Sequence, residues 1–257
     1  MNRINKLFED KKENILSVFF TAGYPKLNDT MSILEAAEKK GINMVELGFP
    51  FSDPIADGPT IQNSSNIALK NGMNIKKLFS QIKDMRETVS IPVILMGYVN
   101  IVMQYGLENF CKSCKRCGID GVILPDLPMK DYLSKYKPML DKYEIVLVLL
   151  ITPETTDKRV REIDTNTNSF IYMVSSASIT GTQTSFDKKK QDYFAKINNM
   201  GLKNPRLVGF GISNKQTLEA AFKNSSGAII GSKFVKCLEC TSNPEKAFDM
   251  LLDSFKR

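Results

Sequence analysis

The chain has 257 residues, 42% of them hydrophobic, and a formal net charge of +7 from 35 Lys and Arg against 28 Asp and Glu. No apolar run approaches the roughly 20 residues of a membrane-spanning helix. Histidine is absent, which excludes a Ser-His-Asp triad and leaves acid–base chemistry to carboxylates, Lys, Tyr or Cys. The basic residues are scattered, so we expect no nucleic-acid or membrane partner, although a positive field favours an anionic substrate.

Eight short apolar segments alternate with helical patterns along the chain. After an N-terminal helix at residues 2–12, the predicted strands are residues 15–20, 42–47, 92–96, 119–124, 145–151, 170–174, 206–208 and 227–230. The segment 145–151 is an unbroken apolar run, typical of a buried parallel strand. Residues 74–88 are predicted as one helix, and residues 97–100 as a loop. This alternation predicts an α/β protein with a single-domain (βα)₈ TIM barrel over residues 1–257 and an extra N-terminal helix.

The cysteines show two CxxC spacings that resemble a metal site. They are Cys111, Cys114, Cys117, Cys237 and Cys240. Most of them continue apolar helical stripes, so we interpret them as core residues and expect no metal, although a metal-binding protein stays open as an alternative. The N-terminus has no apolar core of the signal-peptide type, and we expect a cytoplasmic location.

Carboxylates cluster after the second predicted strand. Glu46 lies at the strand end, and Asp53 and Asp57 follow in a loop rich in Pro and Gly. Such a loop could simply cap the next helix. A carboxylate at the end of a buried strand is costly, however, and barrel active sites lie at the carboxyl ends of the strands. We therefore expect carboxylate acid–base chemistry there.

Glycine turns follow the last two predicted strands, at Gly209–Gly211 and Gly231–Ser232. Backbone N–H groups in such turns and at helix starts bind phosphate, and this is a frequent phosphate site in TIM barrels. Gly181, in a long polar loop, could supply another N–H group. No Lys stands at a predicted strand end, which counts against a Schiff-base aldolase. The residues thus indicate a phosphorylated substrate.

The stretch Glu46-Leu-Gly-Phe-Pro-Phe-Ser-Asp-Pro-Ile-Ala-Asp-Gly-Pro-Thr-Ile-Gln62 resembles the signature of the tryptophan synthase α chain family. The similarity extends over essentially the whole chain. Further matches are Phe19-Phe-Thr-Ala-Gly-Tyr-Pro25, Tyr98 with Asn100, Asp126-Leu-Pro128, Tyr172 with Ser175 and Thr180-Gly181, Gly209-Phe-Gly-Ile-Ser213 and Gly231-Ser232.

This resemblance implies a lyase that cleaves indole-3-glycerol phosphate to indole and glyceraldehyde 3-phosphate in tryptophan biosynthesis. It implies that Glu46 is the general acid/base and that Asp57 accepts the indole N–H. The substrate pocket would comprise Phe19, Ile61, Tyr98, Ile123, Tyr172 and Phe210, with phosphate contacts from Gly181, Gly211, Gly231 and Ser232. The implied partner is a β chain in an α₂β₂ complex, met by Asp53, Pro54, Asn100 and Asp126. Pyridoxal phosphate is expected only on that β chain, and this chain is expected to need no cofactor.

The long loop departs from the commonest family pattern. Ser178 and Ile179 replace a Gly and a Val, and Ser176 stands where Arg is frequent. These changes concern closure of the loop and its coupling to the β chain. Two further readings stay open from sequence: a stand-alone lyase that releases free indole, and a non-catalytic regulator of a β chain.

Overall fold

The computed structural model describes residues 2–175, 188–209 and 211–256. Its strands form one sheet in which every described pairing is parallel. They are β1 (Ile15–Thr21), β2 (Met44–Gly48), β3 (Val93–Met96), β4 (Gly121–Ile123), β5 (two pieces, Val146–Leu147 and Leu149–Ile151), β6 (Ile171–Val174), β7 (Arg206–Gly209) and β8 (Gly227–Ile230).

The sheet closes into a barrel through the divided strand β5. Its first piece pairs with β4, in the register Gly121 to Val146, and its second piece pairs with β6, in the register Leu149 to Ile171. Between them, the N–H of Val148 donates to the carbonyl of Val122 at 2.9 Å. The prediction of a TIM barrel is therefore confirmed, whereas the prediction of an unbroken fifth strand is wrong. An apolar run does not reveal which neighbour each residue pairs with.

Helices surround the barrel and connect its strands. Their bounds are Arg3–Asp10, Thr30–Lys39, Pro59–Lys70, Ile75–Gln81, Val99–Tyr105, Leu107–Cys117, Met129–Asp131, Lys137–Lys142, Asp157–Asn166, Lys188–Asn199, Lys215–Asn224, Ser232–Cys240 and Pro244–Asp253, with a π-helical segment at Tyr132–Tyr136 and a 3₁₀ turn at Met85–Glu87. None of the helices in the described ranges is long and apolar enough to span a membrane.

Two of the helix predictions are wrong in detail. The predicted helix 74–88 ends at Gln81 and resumes only as the 3₁₀ turn, and residues predicted as a loop begin the helix Val99–Tyr105. The second case has a long-range cause. Both carboxylate oxygens of Asp126 accept the N–H of Val99, at 3.0 and 3.2 Å. A carboxylate at a helix N-terminus satisfies its free N–H groups and complements the helix dipole.

The N-terminal helix covers the amino-terminal end of the barrel, where Asp120 holds it. The Asp120 carboxylate is 3% exposed and accepts from Arg86 Nη2 at 2.6 Å and from Arg3 Nη1 at 3.1 Å. It also accepts the N–H of Val93 at 3.0 Å, and Asn2 donates to the Asp120 carbonyl at 2.7 Å. One buried carboxylate thus joins the helix, β3 and the start of β4.

Replacing Asp120 with Ala is expected to destabilise the protein by about 3–5 kcal/mol, because it leaves the Arg86 guanidinium half-buried without its anion. Denaturant unfolding measures this change. Asp84→Ala is the matched control, since Asp84 forms only an exposed pair with Lys83 at 3.5 Å and such pairs contribute about 0–1 kcal/mol. Equal effects of the two substitutions would contradict the role given to Asp120.

Candidate active site

Glu46 lies inside the barrel, in the middle of β2 rather than at the strand end where the sequence predicts it, because β2 continues to Gly48. Its side chain is completely buried, and its backbone pairs in register with Phe19 of β1 and Ile94 of β3. Ser17 Oγ donates to Oε1 at 3.3 Å, while Oε2 has no hydrogen-bond partner in the described structure. Burial raises the pKa of Glu46 to about 8, against which the Ser17 hydrogen bond lowers it. The group is therefore mostly protonated at neutral pH and can act as an acid.

Asp57 differs from Glu46 in its surroundings. It lies in the loop after β2, where Tyr98 donates its hydroxyl proton to Asp57 Oδ2 at 3.2 Å. Burial raises the pKa of Asp57 to about 6, and the Tyr98 hydrogen bond opposes that rise. Asp57 is therefore mostly ionised at neutral pH while Glu46 is mostly protonated. Two carboxyl groups with separated pKa values are a recurrent arrangement of acid–base sites.

The loop that carries Asp57 is held in place by its neighbours. The hydroxyl of Tyr98 accepts the N–H of Ala56 at 3.0 Å, and Gln62 Nε2 donates to the carbonyl of Asp57 at 2.9 Å. The loop ends at Gly58, the N-cap of the helix that starts with Pro59. Proline is favoured at this first helical position because its missing N–H would have no partner in the helix.

A narrow cleft opens at the carboxyl ends of β1, β2 and β3. It brings together several residues predicted from the sequence to be in the site: Phe19, Asp57, Ile61 and Tyr98, together with Thr21 at the end of β1 and with Pro54, which was predicted as a partner contact. It also contains residues that were not predicted there, namely Gly48, Phe49, Phe51, Ser65, Met96, Gly97 and Pro125. The ring of Phe51 stacks on Tyr98 at 5.0 Å between centroids. The cleft is thus largely aromatic and apolar, with a carboxylate at its edge, which suits a flat heteroaromatic ring.

Glycines at strand ends make room for the aromatic rings of the site. A Cβ atom on Gly48 would lie 2.6 Å from the ring of Phe19, and one on Gly209 would lie 2.2 Å from the hydroxyl of Tyr172. Tyr172, on β6, is 4% exposed. Burial raises the pKa of its phenol well above the usual value, and the nearby charges of Glu46 and Asp57 add to this rise. Tyr172 is therefore a neutral phenol within electrostatic range of both carboxyl groups. Ile123, also predicted in the pocket, is buried at the end of β4 and is not among the residues that line the cleft.

The predicted phosphate residues follow β7 and β8. Gly211 has φ +76°, a conformation that favours glycine. Gly231 is the N-cap of the helix Ser232–Cys240, whose first N–H groups have no partner within the helix. A Cβ on Gly231 would lie 3.6 Å from Phe19, so this helix start adjoins the ring that lines the cleft. Gly181 and Phe210, also predicted in the site, lie outside the described residues, as does the loop 176–187.

The residues predicted to meet a partner lie around the mouth of the cleft. Asp53 and Asn100 are exposed, whereas Pro54 is buried and lines the cleft. Asp126 is exposed and receives the N–H of Val99. Two large apolar side chains stand out on the loop and helix that carry these residues, Ile55 at 79% and Met103 at 60% exposure.

The cysteines belong mainly to the packed interior. Cys111, Cys114, Cys117 and Cys237 are buried, and Cys240 is exposed. Burial is the main cause that raises the pKa of the Cys114 thiol, which disfavours the thiolate that metals bind. Among the described residues, no three Cys, Asp or Glu side chains are grouped so as to hold a metal ion.

A closed parallel barrel with a buried acid near the carboxyl ends of its strands defines the chain as a TIM-barrel enzyme. Comparison with known proteins specifies the family. The family model for the tryptophan synthase alpha chain matches residues 6–255, and the chain belongs to that family. Its members are enzyme subunits of tryptophan biosynthesis that cleave indole-3-glycerol phosphate.

Individual relatives agree with this assignment. The tryptophan synthase alpha chain of Parabacteroides distasonis is 58% identical, and that of Phocaeicola vulgatus 56% identical, each over 257 residues and 100% of both chains. A tryptophan synthase subunit alpha from Legionella pneumophila superposes with a TM-score of 0.86 at 31% identity, covering 99% of this chain and 97% of that one. A tryptophan synthase complex from Pyrococcus furiosus gives a TM-score of 0.85 at 31% identity, covering 95% and 98%.

The raised pKa of Glu46 makes a prediction about stability. Because the folded state retains a proton that the unfolded state loses, stability falls as the pH rises from about 4.5 to about 8. The slope contributed by this group is at most about 1.4 kcal/mol per pH unit. Denaturant unfolding between pH 5.5 and 8.5 should show wild type losing stability relative to Glu46→Gln with rising pH. The amide changes stability by a constant amount, so parallel curves would contradict the assignment.

Proposed function

We propose that the chain cleaves indole-3-glycerol phosphate to indole and glyceraldehyde 3-phosphate with Glu46 as general acid/base and Asp57 as acceptor of the indole N–H. The observation that carries this proposal is the pair of carboxyl groups with separated pKa values, about 8 and about 6. Asp57 lines the aromatic cleft, and Glu46 pairs in register with Phe19, which also lines it. Glu46 supplies a proton at neutral pH, and Asp57 supplies a negative charge.

The reaction needs both groups. Protonation of indole C3 by Glu46 gives a cationic indolenine, whose N–H is stabilised by the ionised Asp57. The glycerol hydroxyl on the carbon bonded to C3 then loses its proton, to which the Glu46 carboxylate contributes as base. The bond from that carbon to C3 breaks, its electron pair returns to the ring to restore indole, and the carbon becomes the aldehyde. Glu46 ends protonated, as it began.

The remaining predicted residues serve binding in this proposal. Phe19, Ile61 and Tyr98 line the cleft and would contact the indole ring. On the family resemblance, Ile123, Tyr172 and Phe210 would complete the pocket. The helix start at Gly231 and Ser232, with Gly211 and Gly181, would bind the phosphate through N–H groups. Helix N-termini are suited to anions, and the position of Gly231 beside Phe19 supports a substrate that extends from the cleft to this end.

We further propose that the chain works without a cofactor of its own and associates with a tryptophan synthase β chain as α₂β₂, the β chain holding pyridoxal phosphate. Asp53, Pro54, Asn100 and Asp126 would form this interface. Ile55 and Met103 support the proposal, because they are the two most exposed large apolar side chains of the described residues and lie on the loop and the helix that carry Asp53 and Asn100. Ile55 lies between the proposed contact Asp53 and the proposed catalytic residue Asp57.

Glu46→Gln is expected to reduce kcat for cleavage of indole-3-glycerol phosphate by about 10²–10⁴, because the amide cannot transfer a proton. Asp57→Ala should abolish cleavage as well, with and without a β chain. Glu9→Gln, a substitution on the exposed side of the N-terminal helix, is the matched control and should leave kcat unchanged. Undiminished cleavage by Glu46→Gln would refute the assignment. Fast turnover without a β chain would select the stand-alone lyase, and no turnover with full stimulation of a β chain would select the regulator.

Ile55→Asp is expected to weaken association with a β chain by at least about tenfold, because an apolar side chain of this size contributes about 1.5–3 kcal/mol when buried. Titration calorimetry with a purified β chain measures it. Met250→Asp is the control, since Met250 is 44% exposed on the C-terminal helix, away from the proposed interface. Asp53→Ala should reduce stimulation by the β chain more than it reduces the isolated lyase activity. If Ile55→Asp and Met250→Asp weakened association with the β chain equally, the proposed location of the interface would be contradicted.

A further inference from the structure

Ser17 is a polar residue placed inside the barrel among apolar side chains. It lies in β1, two residues before Phe19, and residues two apart along a strand share one face. Its side chain is completely buried. A buried hydroxyl is costly unless it is hydrogen-bonded, and the described partner of Ser17 Oγ is Glu46 Oε1 at 3.3 Å. The register places Phe19 opposite Glu46, so Ser17 is the diagonal neighbour of Glu46 across the two strands.

We propose that Ser17 is a positioning residue for the lyase reaction: its hydroxyl fixes Oε1 of Glu46 as a hydrogen-bond acceptor, so that Oε2 is the oxygen that carries the transferred proton. This inference rests on the acid/base role proposed above for Glu46. A protonated carboxyl group has one acceptor oxygen and one hydroxyl oxygen, and a donor at Oε1 selects between them. Oε2 has no hydrogen-bond partner in the described structure, so it is the oxygen left to carry the proton.

The arrangement works in both protonation states. When Glu46 is protonated, Ser17 donates to the carbonyl oxygen Oε1. When Glu46 has given up its proton, Ser17 donates to the same oxygen of the carboxylate, so the side chain keeps its orientation and Oε2 can take a proton back. Ser17 thereby holds one oxygen through the whole reaction and leaves the other to exchange its proton.

No other described group donates a hydrogen bond to the Glu46 carboxyl group and so orients it. Phe19 on β1 and Ile94 on β3, its register partners, are apolar. Tyr172, on β6, is within electrostatic range of Glu46, and its phenol stays neutral because burial and the charges of Glu46 and Asp57 raise its pKa. Burial and the Ser17 hydrogen bond are the two causes that act on the pKa of Glu46, in opposite directions. Removing the hydroxyl therefore leaves burial unopposed.

The first test is the pH dependence of cleavage in Ser17→Ala. The descending limb of kcat, which reports loss of the Glu46 proton, should move to higher pH by about half a unit to one unit, because a hydrogen bond to a charged acceptor has been lost. We expect kcat at the optimum to fall several-fold with KM unchanged. Ser17→Thr, which keeps a hydroxyl, should return the descending limb of kcat to its wild-type pH. Ser169→Ala is the control, since Ser169 is a buried hydroxyl without a partner that precedes β6, and its profile should match wild type.

A second readout does not depend on activity. The infrared band of the protonated Glu46 carboxyl is identified by its loss in Glu46→Gln. In Ser17→Ala this band should move to higher wavenumber, because its C=O no longer accepts a hydrogen bond, and in Ser169→Ala it should not move. Thermal unfolding of each variant shows that it is folded.

The outcomes separate this inference from the proposed function. If Glu46→Gln is inactive but Ser17→Ala has the pH limb and infrared band of wild type, the role of Ser17 is refuted and that of Glu46 stands. If Glu46→Gln retains full activity, the assignment of Glu46 itself fails. An infrared shift in Ser17→Ala with no change in the pH limb would show the contact without the positioning role, and would also refute the inference.

Discussion

A carboxyl group without a countercharge lies at the centre of this structure. Glu46 is completely buried between the apolar neighbours Phe19 and Ile94, and one hydrogen bond from Ser17 is its described polar contact. The free energy of ionising such a group in an apolar interior is high, so it stays protonated to about pH 8. The surrounding barrel has to offset this cost, and the closed set of parallel strands provides the rigid, dry interior in which the proton is held.

The overall fold could be predicted because its signals are local. A glycine after an apolar helical stripe marks a helix end, and Gly118, at φ +71°, ends the helix Leu107–Cys117 in a left-handed conformation. Strand positions agree to within about two residues for the same reason. The division of β5 at Val148 could not be predicted, because it depends on how the first and second halves of the strand pair with different neighbours. The start of the helix at Val99 likewise depends on Asp126, 27 residues later.

In the candidate site as well, the sequence indicates some of the residues but not the contacts between them. Glu46 and Asp57 stand out in the sequence because carboxylates are unusual in a buried strand and on a loop held by Pro and Gly. The sequence does not show that Tyr98 bonds to both Asp57 and the N–H of Ala56, nor that Ser17 reaches Glu46. A Ser in an apolar strand is a weak signal, and only the register between β1 and β2 gives it a partner.

The short distance along the chain between Ile55 and Asp57 has a thermodynamic consequence. The Tyr98 hydroxyl binds the N–H of Ala56 and the carboxylate of Asp57 together, so this part of the loop moves as one unit with the Tyr98 ring. If a partner that covers Ile55 changes the affinity of the cleft for its ligand by some factor, the ligand must change the affinity for that partner by the same factor. Any such coupling through this loop would be reciprocal, so that an occupied cleft would change the stability of the assembly by the same free energy by which the assembly changes binding in the cleft.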